Sequence, residues 1–206
     1  MDSEKSHSDR AHRSHGTHFT GHAADFLLSP ERRQWQDPVK IVEAAGIMPG
    51  WKVLDVGSGP CYFDFQIAWK VGDSGAVYAM DASQELLSRC MEMLKTKGAA
   101  NLHPILSDAE MDWPIRPHSV NAVFMANVLH DFSSPSHVIS QAERVLSRDG
   151  LLINIDWKKE ETGFGPPVMI RFSPEQVINL VEQSSFRLER RFDAGPFHYG
   201  FVFARK

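Results

Sequence analysis

Apolar and polar positions alternate along this chain in a way that predicts strands and helices in turn. Short apolar runs rich in valine, isoleucine and aromatic residues predict five strands, over residues 52–56, 76–80, 101–106, 120–126 and 150–155. Apolar residues at helical spacing, often behind a capping serine or proline, predict helices over residues 38–45, 62–70, 83–97, 135–146 and 173–183. A further helix is predicted to begin at Ser29, a plausible N-cap.

The end of the chain departs from this alternation. Two more predicted strands, 186–192 and 198–204, are joined by Asp193-Ala194-Gly195-Pro196, which is typical of a hairpin. Alternating strands and helices favour a parallel sheet with helices on both faces. The pattern therefore predicts an α/β fold with a seven-stranded mixed sheet, in which the last strand runs antiparallel to its neighbour.

The turn after the first predicted strand carries the most informative chemistry. Asp55 lies at the end of that strand, Gly57 and Gly59 follow at a spacing of two, and Pro60 begins a new segment. Glycines in such a turn let a ligand approach the backbone, and the free N–H groups of a helix N-terminus suit a ligand carboxylate. Because Asp55 suits a cation, a ligand with both charges, such as an amino acid, fits better than a pyrophosphate.

The alternative is a dinucleotide site, whose fingerprint is G-x-G-x-x-G. Its third glycine would fall at Tyr62, so the fingerprint fails. A dinucleotide-dependent oxidoreductase is therefore the weaker interpretation, and a protein that only binds its ligand remains a second alternative.

Polar residues also follow the other predicted strands. In an open α/β sheet, ligands bind at the carboxyl ends of the strands. Those ends, in order, carry Asp55, Asp81, Asp108, Asn127 and Asp156. An acid after the second strand can accept from ribose hydroxyls, and one after the third can accept from an exocyclic amine. Each alone could be a helix cap or a solvated loop residue, but together they indicate one site.

These motifs resemble class I S-adenosylmethionine (SAM)-dependent methyltransferases of the ubiquinone/menaquinone-methyltransferase-like, small-molecule group. The matching segments are 53–59, 77–81, 107–109, 121–127 and 144–152. The chain departs from the pattern at Cys61 and Asp149, where the family usually has glycine. The resemblance implies a Rossmann-like fold over residues 29–206, with SAM as cofactor and a small molecule as methyl acceptor.

The resemblance also implies roles for individual residues. Gly57-Ser58-Gly59 faces the methionyl group, and Asp55 supports its amine. The remaining cofactor-binding positions are Asp81 for the ribose with Ala82 beside it, Asp108 for the adenine amine with Ala109 beside it, and Asn127 at the methionyl end.

Residues for the acceptor side follow the fourth and fifth predicted strands. His130 comes three residues after Asn127 and is the leading candidate for a general base, since histidine is the commonest one; a structural or substrate-shaping histidine is the alternative. Asp156 and Trp157 end the fifth strand and are candidate acceptor-binding residues. The glycine- and proline-rich loop 163–167 after them is expected either to line the acceptor pocket or to be a plain connecting loop. Arg171 could bind an acidic acceptor or form a surface salt bridge.

Residues 1–28 form a separate, His-rich segment. With almost no apolar residues before Phe19, it cannot bury enough surface to fold alone, so we expect a flexible segment. The apolar residues from Phe19 to Leu28 could close over the cofactor as a lid. His15, His18 and His22 would share one face of a helix, but without a nearby carboxylate or thiolate partner we assign no metal.

Composition narrows the class further. Hydrophobic residues make up 42% and charged residues 23%, which is ordinary for a globular domain. The net charge of −4 and the absence of a basic stripe argue against a nucleic-acid substrate. No apolar run approaches the roughly 20 residues that cross a bilayer, so no membrane partner is expected. Cys61 and Cys90 do not suggest a disulfide framework, and we expect a cytoplasmic monomer or homodimer.

Overall fold

The computed structural model describes residue 25 and residues 27–206. One mixed sheet holds seven strands in the order β3-β2-β1-β4-β5-β7-β6. The strands are β1 (Lys52–Val56), β2 (Ala76–Asp81), β3 (Leu102–Leu106), β4 (Val120–Ala126), β5 (Leu146–Trp157), β6 (Phe186–Asp193) and β7 (His198–Arg205). Strands β1 to β5 pair in parallel, and β7 is antiparallel to both β5 and β6. The predicted α/β fold and its antiparallel last strand are confirmed.

Helices precede β1 and lie in four of the connections between strands. They are α1 (Arg32–Trp35), α2 (Pro38–Ala44), α3 (Asp64–Val71), α4 (Gln84–Lys97), α5 (Pro135–Val145) and α6 (Pro174–Glu182). Local chemistry fixes several ends: Ser83 accepts a hydrogen bond from Leu86 N at the start of α4, and Ser173 forms a capping box at the start of α6. Within the described residues, no helix is long and apolar enough to cross a bilayer.

Helices cover both faces of the sheet, as the alternation predicts. On β1, Val53 points to the face covered by α2, α3 and α4, whereas Leu54 and Val56 point to the face covered by α5 and α6. Period-two alternation within each strand thus divides one sheet between two apolar cores. Most polar loops at the carboxyl ends of β1 to β4 remain open for a ligand.

Two predictions differ from the structure. Strand β5 begins at Leu146, four residues before the predicted start. The stretch Ser147-Arg148-Asp149 is polar, so its sequence does not indicate a strand. The pairing of β4 with β5 also shifts register between Val120 and Ala122. Cys61 and Cys90 form a disulfide across a sequence separation of 29, although none was expected. Helix α4 packs beside the glycine turn and brings the two Cα atoms to 5.3 Å, a proximity that sequence spacing does not reveal.

The N-terminal predictions lie almost wholly outside the described residues. This applies to the flexible segment or lid over residues 1–28, of which only 25, 27 and 28 are described, and to a metal site at His15, His18 and His22. The boundary at residue 29 is likewise an expectation.

Candidate active site

A cavity of about 400 Å³ opens at the carboxyl ends of the parallel strands. The structure brings to its wall all of the residues that the sequence assigned to cofactor binding: Asp55, Gly57, Ser58, Gly59, Asp81, Ala82, Asp108, Ala109 and Asn127. These residues come from the ends of four strands, so the parallel sheet itself gathers them.

The glycine turn requires glycine for backbone and steric reasons. Gly57 and Gly59 have φ angles of +72° and +57°, in the left-handed region that glycine enters without strain. A Cβ on Gly57 would lie 2.5 Å from Val128 Cγ2. The N–H groups of Gly57 and Ser58 donate to the Met80 carbonyl at 2.8 and 3.1 Å, which ties the turn to β2.

Asp81 links this turn to helix α4. Its two carboxylate oxygens accept hydrogen bonds from Gly59 N at 2.7 Å and Ser83 N at 2.8 Å. A carboxylate has about four acceptor sites, so acceptor capacity remains for ligand hydroxyls in the cavity. Burial raises the pKa of Asp81, although the backbone donors oppose the shift.

Asp55 and Asp64 form a buried acidic pair beneath the turn. The residues are 2% and 0% exposed, and Asp55 Oδ1 and both Asp64 oxygens meet no donor among the described residues. Burial, reinforced by the neighbouring Asp64, raises the pKa of Asp55 well above its ordinary value, and burial raises that of Asp64 to about 7. A shared proton or a ligand cation must therefore compensate this pair, and the cavity wall at Asp55 suits an ammonium group.

Arg32, at the start of helix α1, lies on the cavity wall, and Gln36 follows the end of that helix; the sequence prediction missed both residues. The buried guanidinium of Arg32 donates to the Leu27 carbonyl at 2.9 Å and to Gln36 Oε1 at 3.0 and 2.9 Å, and it stacks 4.0 Å from the Tyr62 ring centre. The side-chain amides of Gln36 and Asn127 pair at 3.1 and 3.3 Å. The Arg32 guanidinium thus places a positive charge on the cavity wall, which suits a ligand carboxylate.

The predicted base, His130, is part of a buried row of titratable groups. Its Nδ1 lies 2.7 Å from Asp156 Oδ1, and its Nε2 lies 3.5 Å from Asp131 Oδ1. Burial lowers the pKa of His130, but the two carboxylates outweigh burial and the net pKa is raised. His130 and Asp156 are not on the cavity wall, whereas Asp131 is.

Trp157 and Arg171, expected near the acceptor, lie away from this cavity wall. Trp157 packs in an aromatic cluster with Trp35, Phe164 and His198, at ring-centre distances of 5.8, 5.6 and 4.2 Å. Arg171 is only 3% exposed, which corrects the expected surface salt bridge. It donates to Thr162 Oγ1 and to the carbonyls of Lys158, Glu160, Phe164 and Pro166.

These bonds use all five N–H groups of the Arg171 guanidinium, so none is left for an acidic acceptor. Arg171 instead fixes the conformation of the loop between β5 and α6.

Comparison with known proteins defines the class. The family described as "Methyltransferase domain" matches residues 47–185, more than half of the chain, and the chain belongs to this family. The crystal structure of a SAM-dependent methyltransferase from Aquifex aeolicus has a TM-score of 0.85 at 29% identity, covering 91% of this chain and 100% of that one. This chain therefore carries a SAM-dependent methyltransferase domain.

Curated relatives match over shorter stretches. A ubiquinone/menaquinone biosynthesis C-methyltransferase from Shewanella sediminis is 28% identical over 121 residues, which are 58% of this chain and 48% of that protein. A protein-L-isoaspartate O-methyltransferase from Ignicoccus hospitalis is 38% identical over 74 residues, which are 36% and 35% of the two chains. The match thus spans half or less of these relatives, which act on different acceptors.

Proposed function

We propose that this enzyme transfers the methyl group of SAM to a small-molecule acceptor and belongs to the ubiquinone/menaquinone-methyltransferase-like group. The observation that carries the cofactor assignment is a pair of opposite charges on the cavity wall, where the carboxyl group of Asp55 and the guanidinium of Arg32 both lie. Asp55 suits the ammonium of an amino-acid group, and Arg32 suits the carboxylate of the same group. A dinucleotide has no amino-acid group that carries an ammonium and a carboxylate together.

The other residues of the cavity wall take the rest of the cofactor. Asp81 holds the ribose hydroxyls with the acceptor capacity that Gly59 N and Ser83 N leave free. Asp108 accepts from the adenine amine. The remaining contacts are made by Ser58, Ala82, Ala109 and Asn127.

When bound, SAM supplies a methyl group already activated by its sulfonium. The chain's own residues therefore align the acceptor, exclude water and remove a proton where the acceptor carries one. His130 lies off the cavity wall and is proposed to assist proton removal from behind it, with Asp156 orienting the imidazole through the 2.7 Å contact at Nδ1. The acceptor is small, and we assign neither nucleic acid nor membrane as a partner.

Calorimetry with SAM, S-adenosylhomocysteine and NAD tests the cofactor assignment. We expect both sulfur ligands to bind and NAD not to bind. Transfer of a trideuteromethyl group from labelled SAM to small acceptors, followed by mass spectrometry, then separates an enzyme from a binding protein. If NAD binds and neither SAM nor S-adenosylhomocysteine binds, the proposal is wrong.

Asp81→Ala is expected to weaken binding of S-adenosylhomocysteine by about 2–3 kcal/mol, because hydrogen bonds to a charged group are lost. The variant also loses the acceptor for Gly59 N, so the turn itself loosens. Isothermal calorimetry on the folded variant measures the change. Asp73→Ala, which removes an exposed acid from the turn before β2, is the matched control and should bind normally. Unchanged affinity in Asp81→Ala would contradict the ribose assignment.

A further inference from the structure

One carboxylate on the cavity wall has no role in the proposed cofactor site. Asp55, Asp81 and Asp108 are assigned to the ammonium, the ribose and the adenine amine. Glu110 Oε1 accepts a hydrogen bond from Ser134 N at 2.7 Å. Asp131 lines the cavity, and its only polar side-chain contact among the described residues is with His130.

Asp131 is the outer member of a row that runs from the core to the cavity. Asp156 is the innermost: it is 1% exposed, and its Oδ1 accepts from Trp157 N at 2.8 Å as well as facing His130 Nδ1. The imidazole of His130 lies between two carboxylates, at 2.7 Å from Asp156 and 3.5 Å from Asp131. The side chain of His130 is 3% exposed and that of Asp131 is 24% exposed. A molecule in the cavity therefore meets Asp131 before it meets the histidine.

Few other charged groups act on this row. The charge of Arg171 opposes protonation of His130, and the charge of a protonated His130 in turn helps to lower the pKa of His198. Burial raises the pKa of Asp131, the neighbouring His130 lowers it, and Asp156 raises it. The carboxylates thus hold a proton on the imidazole to higher pH than is usual, while Asp131 is a better proton acceptor than an exposed aspartate.

We propose that Asp131 is the residue that contacts the acceptor and takes its proton, with His130 and Asp156 as positioning residues behind it. The acceptor class that fits is a molecule methylated on an oxygen or nitrogen that carries a proton. The X–H bond breaks and the proton passes to an Asp131 oxygen. The electron pair left on X forms the bond to the methyl carbon, while the bond from that carbon to the sulfonium sulfur breaks and its electron pair stays on the sulfur. The carboxylate becomes a carboxylic acid that hydrogen-bonds with the His130 ring. This inference rests on the proposed methyl transfer and adds the contacting residue and the acceptor class.

The first test is independent of turnover. The ring resonances of His130, identified from their loss in His130→Gln, are titrated by NMR in the full-length enzyme and in Asp131→Asn. We expect the midpoint of His130 to fall by about 0.5–1 pH unit when the Asp131 charge is removed, because an opposite charge at this distance favours the imidazolium. Asp149→Asn, which removes an exposed acid, should leave it unchanged. An unchanged midpoint in Asp131→Asn would overturn the proposal.

The second test uses labelled SAM and a panel of a phenol, a catechol, a primary amine, a thiol and a carbon acid. We expect methylation of an oxygen or nitrogen acceptor, and a rate at least about 10²-fold lower in Asp131→Asn with binding of S-adenosylhomocysteine retained. Methylation of only the thiol or carbon acid, or a full rate in Asp131→Asn, would refute the inference. Failure of both sulfur ligands to bind would instead refute the proposed function, so the two failures are distinguishable.

Discussion

His130→Ala is expected to lower the methylation rate at saturating cofactor by about 10²–10⁴-fold while leaving the affinity for S-adenosylhomocysteine nearly intact. His130 lies between Asp156 and Asp131 and off the cavity wall, so we expect it not to contact the cofactor. Its loss leaves the buried Asp156 without its imidazole partner and Asp131 without the group that holds it. Steady-state kinetics with SAM and the best acceptor, together with calorimetry, provide the measurement.

Two comparisons separate chemistry from pocket shape. If His130 only shapes the acceptor pocket, KM should change more than kcat, and the pH dependence of kcat should persist. His103→Ala, which removes an exposed histidine from β3, is the control and should keep wild-type rates. Loss of cofactor affinity in His130→Ala with unchanged turnover would show that His130 belongs to the cofactor side.

The residues that sequence could place are those fixed by strand order. Asp55, Asp81, Asp108 and Asn127 follow β1 to β4, and a parallel sheet brings the carboxyl ends of its strands to one edge. Period-two alternation, which locates the strands, and the Gly57/Gly59 spacing therefore predict the residues on one side of the cavity.

The residues that sequence could not place depend on contacts between distant segments. Gln36 pairs with Asn127 across 91 positions, and the residues around Gln36 and around Asn127 give no sign of this contact. Asp64 reads as an ordinary acid in the first turn of α3 until the fold buries it beside Asp55. Asp131, next to the predicted base, was passed over because only the tertiary structure shows which of the two adjacent side chains reaches the cavity.

Arg171 shows the opposite error. From sequence, an arginine that follows a loop is expected to bind either an anionic ligand or a carboxylate at the surface. Here the loop folds back so that its carbonyl oxygens surround the guanidinium. Backbone acceptors leave no mark in the side-chain pattern, so this role could not be predicted.

The Cys61–Cys90 disulfide is expected to contribute about 3–4 kcal/mol to the free energy of unfolding. It closes a loop over a sequence separation of 29, and a cross-link of this size removes that much conformational entropy from the unfolded chain. Cys61 lies two residues beyond Gly59, and Cys90 lies on the helix whose Ser83 N donates to Asp81. The cross-link therefore also ties the cofactor turn to α4. Because disulfides persist mainly in oxidising compartments, this cross-link does not favour the expected cytoplasmic location.

Urea unfolding of the wild type with and without reductant measures this contribution, and Cys90→Ala should match the reduced wild type. Cys61→Gly separates the cross-link from backbone strain. Cys61 has a φ angle of +63°, which a residue with a Cβ adopts at a penalty of roughly 1–2 kcal/mol and glycine adopts freely. Cys61→Gly should therefore lose the cross-link but regain about 1 kcal/mol relative to Cys90→Ala. Equal stability of oxidised and reduced wild type, with both cysteines shown by alkylation to have changed state, would contradict the stabilising role of the disulfide.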